Sequence, residues 1–169
     1  MKALQERIGY SFKDESLLKL ALTHPSIVKV QSNQRLEFLG DSILGAVVAK
    51  ILYDAYPAEQ EGDLARRHAA LVRGETLTQV ARDIHLGEAL NIAAGEVQGG
   101  GRDNASNLED ALEALIGALY LDGGMDAAEI FITPRWTKLA DAMGAAPKDA
   151  KTALQEWAQG HGLPVPAYT

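Results

Sequence analysis

The sequence has no cysteine, which removes disulfides, thiolate metal sites and a cysteine nucleophile together. Aromatic residues are scarce, at 6%, whereas alanine and leucine are abundant. That mixture favours helices over a β-sandwich. Long apolar runs are missing as well. The opening MKALQERIGY contains none, so no secretory leader is expected. The most apolar stretch, Ser42 to Tyr53, is too short to span a bilayer and is interrupted by Lys50. The expectation is a soluble, cytoplasmic protein without a membrane partner. Positive charge is also in deficit: 16 Lys and Arg stand against 23 Asp and Glu, a net charge of −7. Averaged over the surface, that excess argues against a polyanion such as nucleic acid, because phosphate contacts need Lys and Arg. The average misleads where carboxylates surround bound cations, since the local field is then reversed. The placement of the acids therefore decides the matter.

What remains is a chain of 169 residues, 47% of them apolar, enough for one cored domain and a short appendage. Leu4, Ile8 and Phe12 recur at helical spacing. Asp14 is placed to cap a second helix carrying Leu17, Leu18, Ala21 and Leu22, and Thr23-His24-Pro25-Ser26 ends it. Ser32 or Asn33 can cap a long helix from about Gln34 to Tyr53, whose inner stripe reads Leu36, Leu39, Ile43, Val47 and Ile51. Further helices are expected over Glu61 to Leu71 and Glu75 to Ile84. The glycines from Gly95 to Gly101 predict a loop. Ser106-Asn-Leu-Glu109 fits a capping box, and the helix it starts should stop at Asp122-Gly-Gly124. A last domain helix is expected from about Asp126 to Ala142. No strand is convincing, so the fold class is all-α.

Two pairs of acids stand out. Glu37 and Asp41 are four residues apart, Asp110 and Glu113 three, so each pair shares a helix face beside an apolar stripe. Gly40 lies between the first two, and Gly117 follows the second pair by one turn. Glycine inside a helix costs about 1 kcal/mol relative to alanine, a cost that close approach of two backbones would justify. If the two helices cross there, four carboxylates converge in a partly buried space, where they repel and resist desolvation. Divalent cations resolve that conflict, and an all-oxygen donor set suits Mg²⁺, Mn²⁺ or Ca²⁺. Spacing alone leaves a second reading open, a solvated acidic face. A di-iron bundle would want Glu-x-x-His, which neither pair provides.

The segment Gln34-Arg-Leu-Glu-Phe-Leu-Gly-Asp-Ser-Ile-Leu44 closely resembles the signature of the ribonuclease III family, bacterial type. Leu108-Glu-Asp-Ala-Leu-Glu-Ala-Leu-Ile-Gly117 resembles its second acidic motif, and Glu61-Gly-Asp-Leu and Ala70-Leu-Val-Arg-Gly74 match between them in order. The resemblance implies a dimeric, all-helical endonuclease domain over 1–143, a linker over 144–150, and over 151–169 the truncated start of an α/β double-stranded RNA-binding domain. It implies metal-assisted hydrolysis of double-stranded RNA, with 5′-phosphate and 3′-hydroxyl products and short 3′ overhangs, in the processing of ribosomal, messenger and other structured RNA precursors. Glu37, Asp41, Asp110 and Glu113 match the metal-binding acids, with Asp41 and Glu113 central to catalysis. Glu61 matches a supporting acid, and Mg²⁺ is the implied ion, with Mn²⁺ a substitute. Phe38 resembles the residue that enters a socket on the partner subunit of a homodimer; the other reading is ordinary core beside Leu36 and Leu39, against which its place next to Glu37, off the inner stripe, argues. Arg66, Arg67, His68 and Arg73 form the densest basic run, with Arg67 and Arg73 as candidate phosphate contacts, or else a solvated face with ion pairs. Gln155 and Gln159 match minor-groove contacts of the RNA-binding domain. Gln34 stands where many relatives carry glutamate, and His24 and His85 read as structural. A non-catalytic RNA-binding or scaffold protein of the same fold is the alternative, which loss of an acid would favour; all four are present.

Overall fold

A computed structural model describes residues 1–27, 31–147 and 157–162. The described chain is helical: α1 (Lys2–Ile8), α2 (Glu15–Ala21), α3 (Gln34–Ala55), α4 (Glu61–Leu71), α5 (Gly74–Asp83), α6 (Leu86–Ala89), α7 (Ala94–Gln98) and α8 (Ala105–Ala142). Extended pairing among the described residues is limited to one isolated parallel bridge between Thr23 and Asn91. Residues 157–160 add a helical turn. Of the two glutamines of the tail, Gln159 is exposed on that turn, and Gln155 lies outside the described residues.

The helix boundaries follow local chemistry. Asp14 caps α2 by accepting from the Ser16 amide at 2.9 Å. Asn33 occupies the cap position of α3 without a side-chain cap bond. At the start of α8 the cap is Asn104, which accepts from the Asn107 amide at 3.2 Å. The expected capping box at Ser106 is therefore displaced by two residues, because Asn104 takes the orphan amide first. The rod of α8 breaks at Gly124, whose φ of 73° is left-handed. Asp122, just before the break, accepts from the Tyr10 hydroxyl at 2.7 Å and from the Lys13 and Asp14 amides at 2.9 and 2.8 Å. The expected loop at Gly95 to Gly101 holds one short helix, α7, before Gly100 turns the chain at φ 81°. Five residues suffice for that turn, and the glycines that follow end it.

The most extensive packing is α3 against α8. Leu36, Ile43, Leu44, Val47, Val48 and Leu52 of α3 are buried, whereas Leu39 and Ile51 are only partly covered. The inner stripe is thus rotated toward Gly40, Leu44 and Val48 relative to the sequence expectation. The reason is that α8 meets α3 along its glycine edge. A Cβ on Gly40 would overlap the Glu113 carbonyl oxygen and lie 2.6 Å from its carbon and 2.9 Å from the Gly117 nitrogen. A Cβ on Gly117 would overlap the Leu36 carbonyl oxygen and lie 3.2 Å from the Gly40 nitrogen. Behind this crossing, Trp136 is fully buried and donates its indole N–H to the Leu71 carbonyl at 2.9 Å.

Backbone cannot step aside as a flexible side chain can. Gly40→Ala is therefore expected to lose about 3 kcal/mol or more of stability. Gly45→Ala is the control: its nearest neighbour would be His68 Nε2 at 3.7 Å, so it should be neutral or gain up to about 1 kcal/mol in helix propensity. Urea midpoints of the two variants check this, and equal stability of Gly40→Ala and the parent would refute the tight crossing.

Candidate functional site

Because α3 and α8 touch at Gly40 and Gly117, the turns that carry the acids face one another. Glu37 lies one turn before the crossing on α3 and Asp41 one residue after Gly40; Glu113 lends its own carbonyl to the contact. Glu37, Asp110 and Glu113 are part-buried, and Asp41 is exposed. Burial is the main force on the three part-buried carboxyls. It pushes the Glu113 carboxyl up to about 8, with Asp41, Glu109, Glu37 and Asp110 adding repulsion. Glu37 is raised by burial and then by Asp110, Glu109 and Asp41. Asp110 is raised by burial, while His24 works in the opposite direction. The four acids picked out by spacing thus act on one another through space.

None of these four carboxylates accepts a hydrogen bond or closes an ion pair with a lysine or arginine among the described residues. Nor are any three His, Asp or Glu side chains among those residues gathered as a ready set of metal ligands. The donors are all hard oxygens, and those of Glu37, Asp110 and Glu113 are part-buried and raised in proton affinity. That chemistry fits a hard divalent cation.

A fifth acid escaped the sequence reading. Glu109, raised by burial and then by Asp110, acts on both Glu37 and Glu113. Its carboxylate lies against Gly74 at the start of α5, where a Cβ would come 2.8 Å from its Cδ. The signal was its adjacency to Asp110, which the capping-box reading masked. Glu61, by contrast, is exposed at the start of α4 and contributes to the perturbation of none of the clustered acids. In the single chain it stands apart from them.

The basic run divides. Arg67 is only 2% exposed. Its guanidinium forks onto Glu59 at 2.8 and 2.6 Å, donates to the Gly144 carbonyl at 2.7 Å and stacks 3.9 Å above the Tyr56 ring. This corrects its assignment as a phosphate contact: the residue points inward because a carboxylate, a carbonyl and a ring await it there. Arg66 pairs with Asp63. His68 meets the Gly45 carbonyl at 2.9 Å, tying α4 to α3 one turn beyond Asp41. Arg73 is exposed, paired with Glu75 at 2.9 Å, and lines one cleft with Gly74 and Glu109. It alone of the candidate arginines borders the acids and faces solvent.

Phe38, next to Glu37, is 79% exposed. It edges a groove of about 1190 Å³ lined also by Leu17, Leu20, Leu36, Leu39 and Leu121. Leu121 is itself 53% exposed, so an open apolar surface runs beside the acids. The residue is therefore not core. No helix among the described residues is long and apolar enough to cross a membrane.

Comparison with known proteins agrees with this architecture. Residues 14–139 match the family described as Ribonuclease-III-like. The chain is similar to a protein named Ribonuclease 3 from Anaplasma phagocytophilum, 49% identical over 98% of this chain and 73% of the relative. Its fold is similar to the nuclease domain of ribonuclease III from Campylobacter jejuni, with a TM-score of 0.78 and 38% identity over 82% of this chain and 95% of that one. A second structure of that domain, described as flexible in a region involved in dimer formation, gives 0.77 and 39% over 82% and 96%.

The displaced proton affinity of Glu113 has a measurable consequence. Without metal, the folded state holds more protons than the unfolded state between its ordinary value of 4.5 and about 8. Stability should therefore fall as pH rises through that window and level off above it. Glu113→Gln is expected to remove much of this slope and to stabilise the metal-free protein near pH ~9 by about 1–2 kcal/mol, an amount discounted for the half-exposed side chain. Urea midpoints against pH in EDTA test this, and a profile unchanged by the substitution would count against it.

Proposed function

We propose a function from one premise: the chain belongs to the ribonuclease III family and is an enzyme of that family. It hydrolyses phosphodiester bonds in double-stranded RNA as an endonuclease, acting as a homodimer in the cytoplasm on ribosomal and other structured RNA precursors. The observation that carries this reading is that Asp41 and Asp110 act on both Glu37 and Glu113 across the helix crossing, with no lysine or arginine paired to any of the four among the described residues.

Those four residues would hold Mg²⁺, or Mn²⁺ in its place. When bound, the ion supplies charge neutralisation and Lewis acidity toward a phosphodiester and water. The chain does the rest. The carboxylates of α3 and α8 orient the reacting groups from two rigid helices, so little reorganisation is needed at the moment of reaction. Water is the nucleophile: its oxygen bonds to phosphorus as the bond to the 3′ oxygen breaks, leaving 5′-phosphate and 3′-hydroxyl ends. No side chain is acylated or phosphorylated. Glu109 adds negative charge at the rim, Arg73 offers a cation to the RNA backbone, and Glu61 stands as a supporting acid. Two such centres, one per subunit, cut one strand each and leave a short 3′ overhang.

Phe38 is proposed as the anchor of the dimer. An exposed aromatic beside an apolar groove is the kind of pairing that a two-fold interface buries on both sides.

Two measurements test the reading. Duplex RNA should be cut in Mg²⁺ and spared in EDTA, and Glu113→Gln should reduce cleavage by about a hundredfold or more with fold and dimer intact. Cleavage by that variant at the parental rate would refute the ligand assignment, and binding without cutting in both conditions would favour a non-catalytic role. Phe38→Ala should weaken the dimer by about 2 kcal/mol or more in sedimentation equilibrium; an unchanged association constant would remove Phe38 from the interface.

A further inference from the structure

His24 reads as a structural histidine in the sequence, yet its surroundings leave one half of the ring unused. The segment that carries it is clamped on two sides. The Thr23 carbonyl accepts from the Asn33 amide at 2.9 Å, one turn ahead of Glu37. The His24 amide donates to the Asn91 carbonyl at 3.0 Å, and the Asn91 amide returns a bond to the Leu22 carbonyl at 2.8 Å. These backbone bonds place the residue beside the start of α3, one turn ahead of Glu37 and within electrostatic reach of Asp110.

The ring is oriented as well as placed. Nδ1 accepts from the Ser26 amide at 3.1 Å and lies 2.8 Å from the Ser26 hydroxyl. That hydroxyl oxygen accepts from the Ala93 amide at 3.1 Å. A ring nitrogen that accepts from a backbone N–H carries no proton itself, so the hydroxyl donates to it and the proton of the neutral imidazole sits on Nε2. Nε2 makes no hydrogen bond to any described residue, and the ring is part-exposed.

The chemistry around this free N–H is one-sided. Glu37, Asp41, Glu109, Asp110 and Glu113 are all acceptors when ionised. An RNA backbone presents acceptors too, its non-bridging phosphate oxygens, which carboxylates cannot contact directly. A donor held in a fixed tautomer beside the cluster meets that need. We infer that His24 is a substrate-contacting residue, donating its Nε2–H to a non-bridging phosphate oxygen of the strand held at the acids. The inference rests on the reading of the acid cluster as the hydrolytic centre.

The test compares the whole chain with His24→Ala, His24→Gln and His24→Asn in Mg²⁺-supported cleavage of a duplex RNA at one pH, beside thermal melting of each. Glutamine places an amide nitrogen where Nε2 lies; asparagine reaches only the Nδ1 position and can serve Ser26 alone. Loss of one hydrogen bond to a charged oxygen predicts a fall in kcat/KM of about tenfold to a hundredfold for His24→Ala. His24→Gln should return to within about threefold of the parent and His24→Asn should not, with all melting temperatures alike. The reverse order, asparagine active and glutamine not, would show that the Ser26 contact is all that matters and would overturn the inference. Activity falling in step with melting temperature would overturn it in the same way. Parental cleavage with an equally active His24→Ala would overturn this inference alone, whereas a parental chain that cuts no duplex would first overturn the hydrolytic reading on which it rests.

Discussion

The contact between the backbones of α3 and α8 governs this protein. At Gly40 and Gly117 the two helices approach so closely that neither position has room for a methyl group. That proximity is what brings side chains one turn either side of the crossing into a single electrostatic field. With alanine spacing the helices would move apart, and the same carboxylates would face water singly. The glycines sacrifice some helix propensity and in return allow acids separated by about seventy residues to share one space.

The crossing creates a conflict that the fold does not resolve internally. The core behind it is dry and apolar, with Leu44, Leu112, Leu115 and Trp136 fully buried. Glu37, Asp110 and Glu113 sit at its edge, raised in proton affinity by burial, and Glu37 and Glu113 by their acidic neighbours as well. Elsewhere the chain pairs its part-buried charges: Arg67 with Glu59, and Asp122 with two amides and a phenol. The contrast is informative, because a cluster left without a protein counter-charge is one that a bound cation can complete. A net charge of −7 is compatible with membership of the ribonuclease III family, because a cation bound among clustered acids would reverse the local field there.

The neighbouring elements serve the same centre. His68 ties α4 to α3 beside the acids, the stitch between Thr23, Asn33 and Asn91 holds His24 beside the start of α3, and Glu109 and Arg73 line one cleft at the start of α5. Phe38 sits one residue from Glu37 but projects outward. Adjacent positions on α3 thus face the acid cluster and the apolar groove, because successive side chains on a helix turn by about 100°. A dimer contact through Phe38 would be rigidly coupled to the acids.

Much of this was legible without coordinates. The spans of the longer helices, the paired acids, the two glycines and the exposed reading of Phe38 come from spacing and motif, since helical periodicity is a local property that each segment carries with it, whereas the short α6 and α7 were not foreseen. The inward turn of Arg67, the rotation of the α3 stripe, the cap at Asn104, the part played by Glu109 and the free edge of His24 were not legible. Each depends on a partner distant in sequence: Glu59 and Gly144 for Arg67, α8 for the stripe, Gly74 for Glu109, Ser26 and Ala93 for His24. Sequence by itself determined which residue types lie on which helix face. Only the tertiary structure decided which of those faces meet, because burial and charge act across space rather than along the chain.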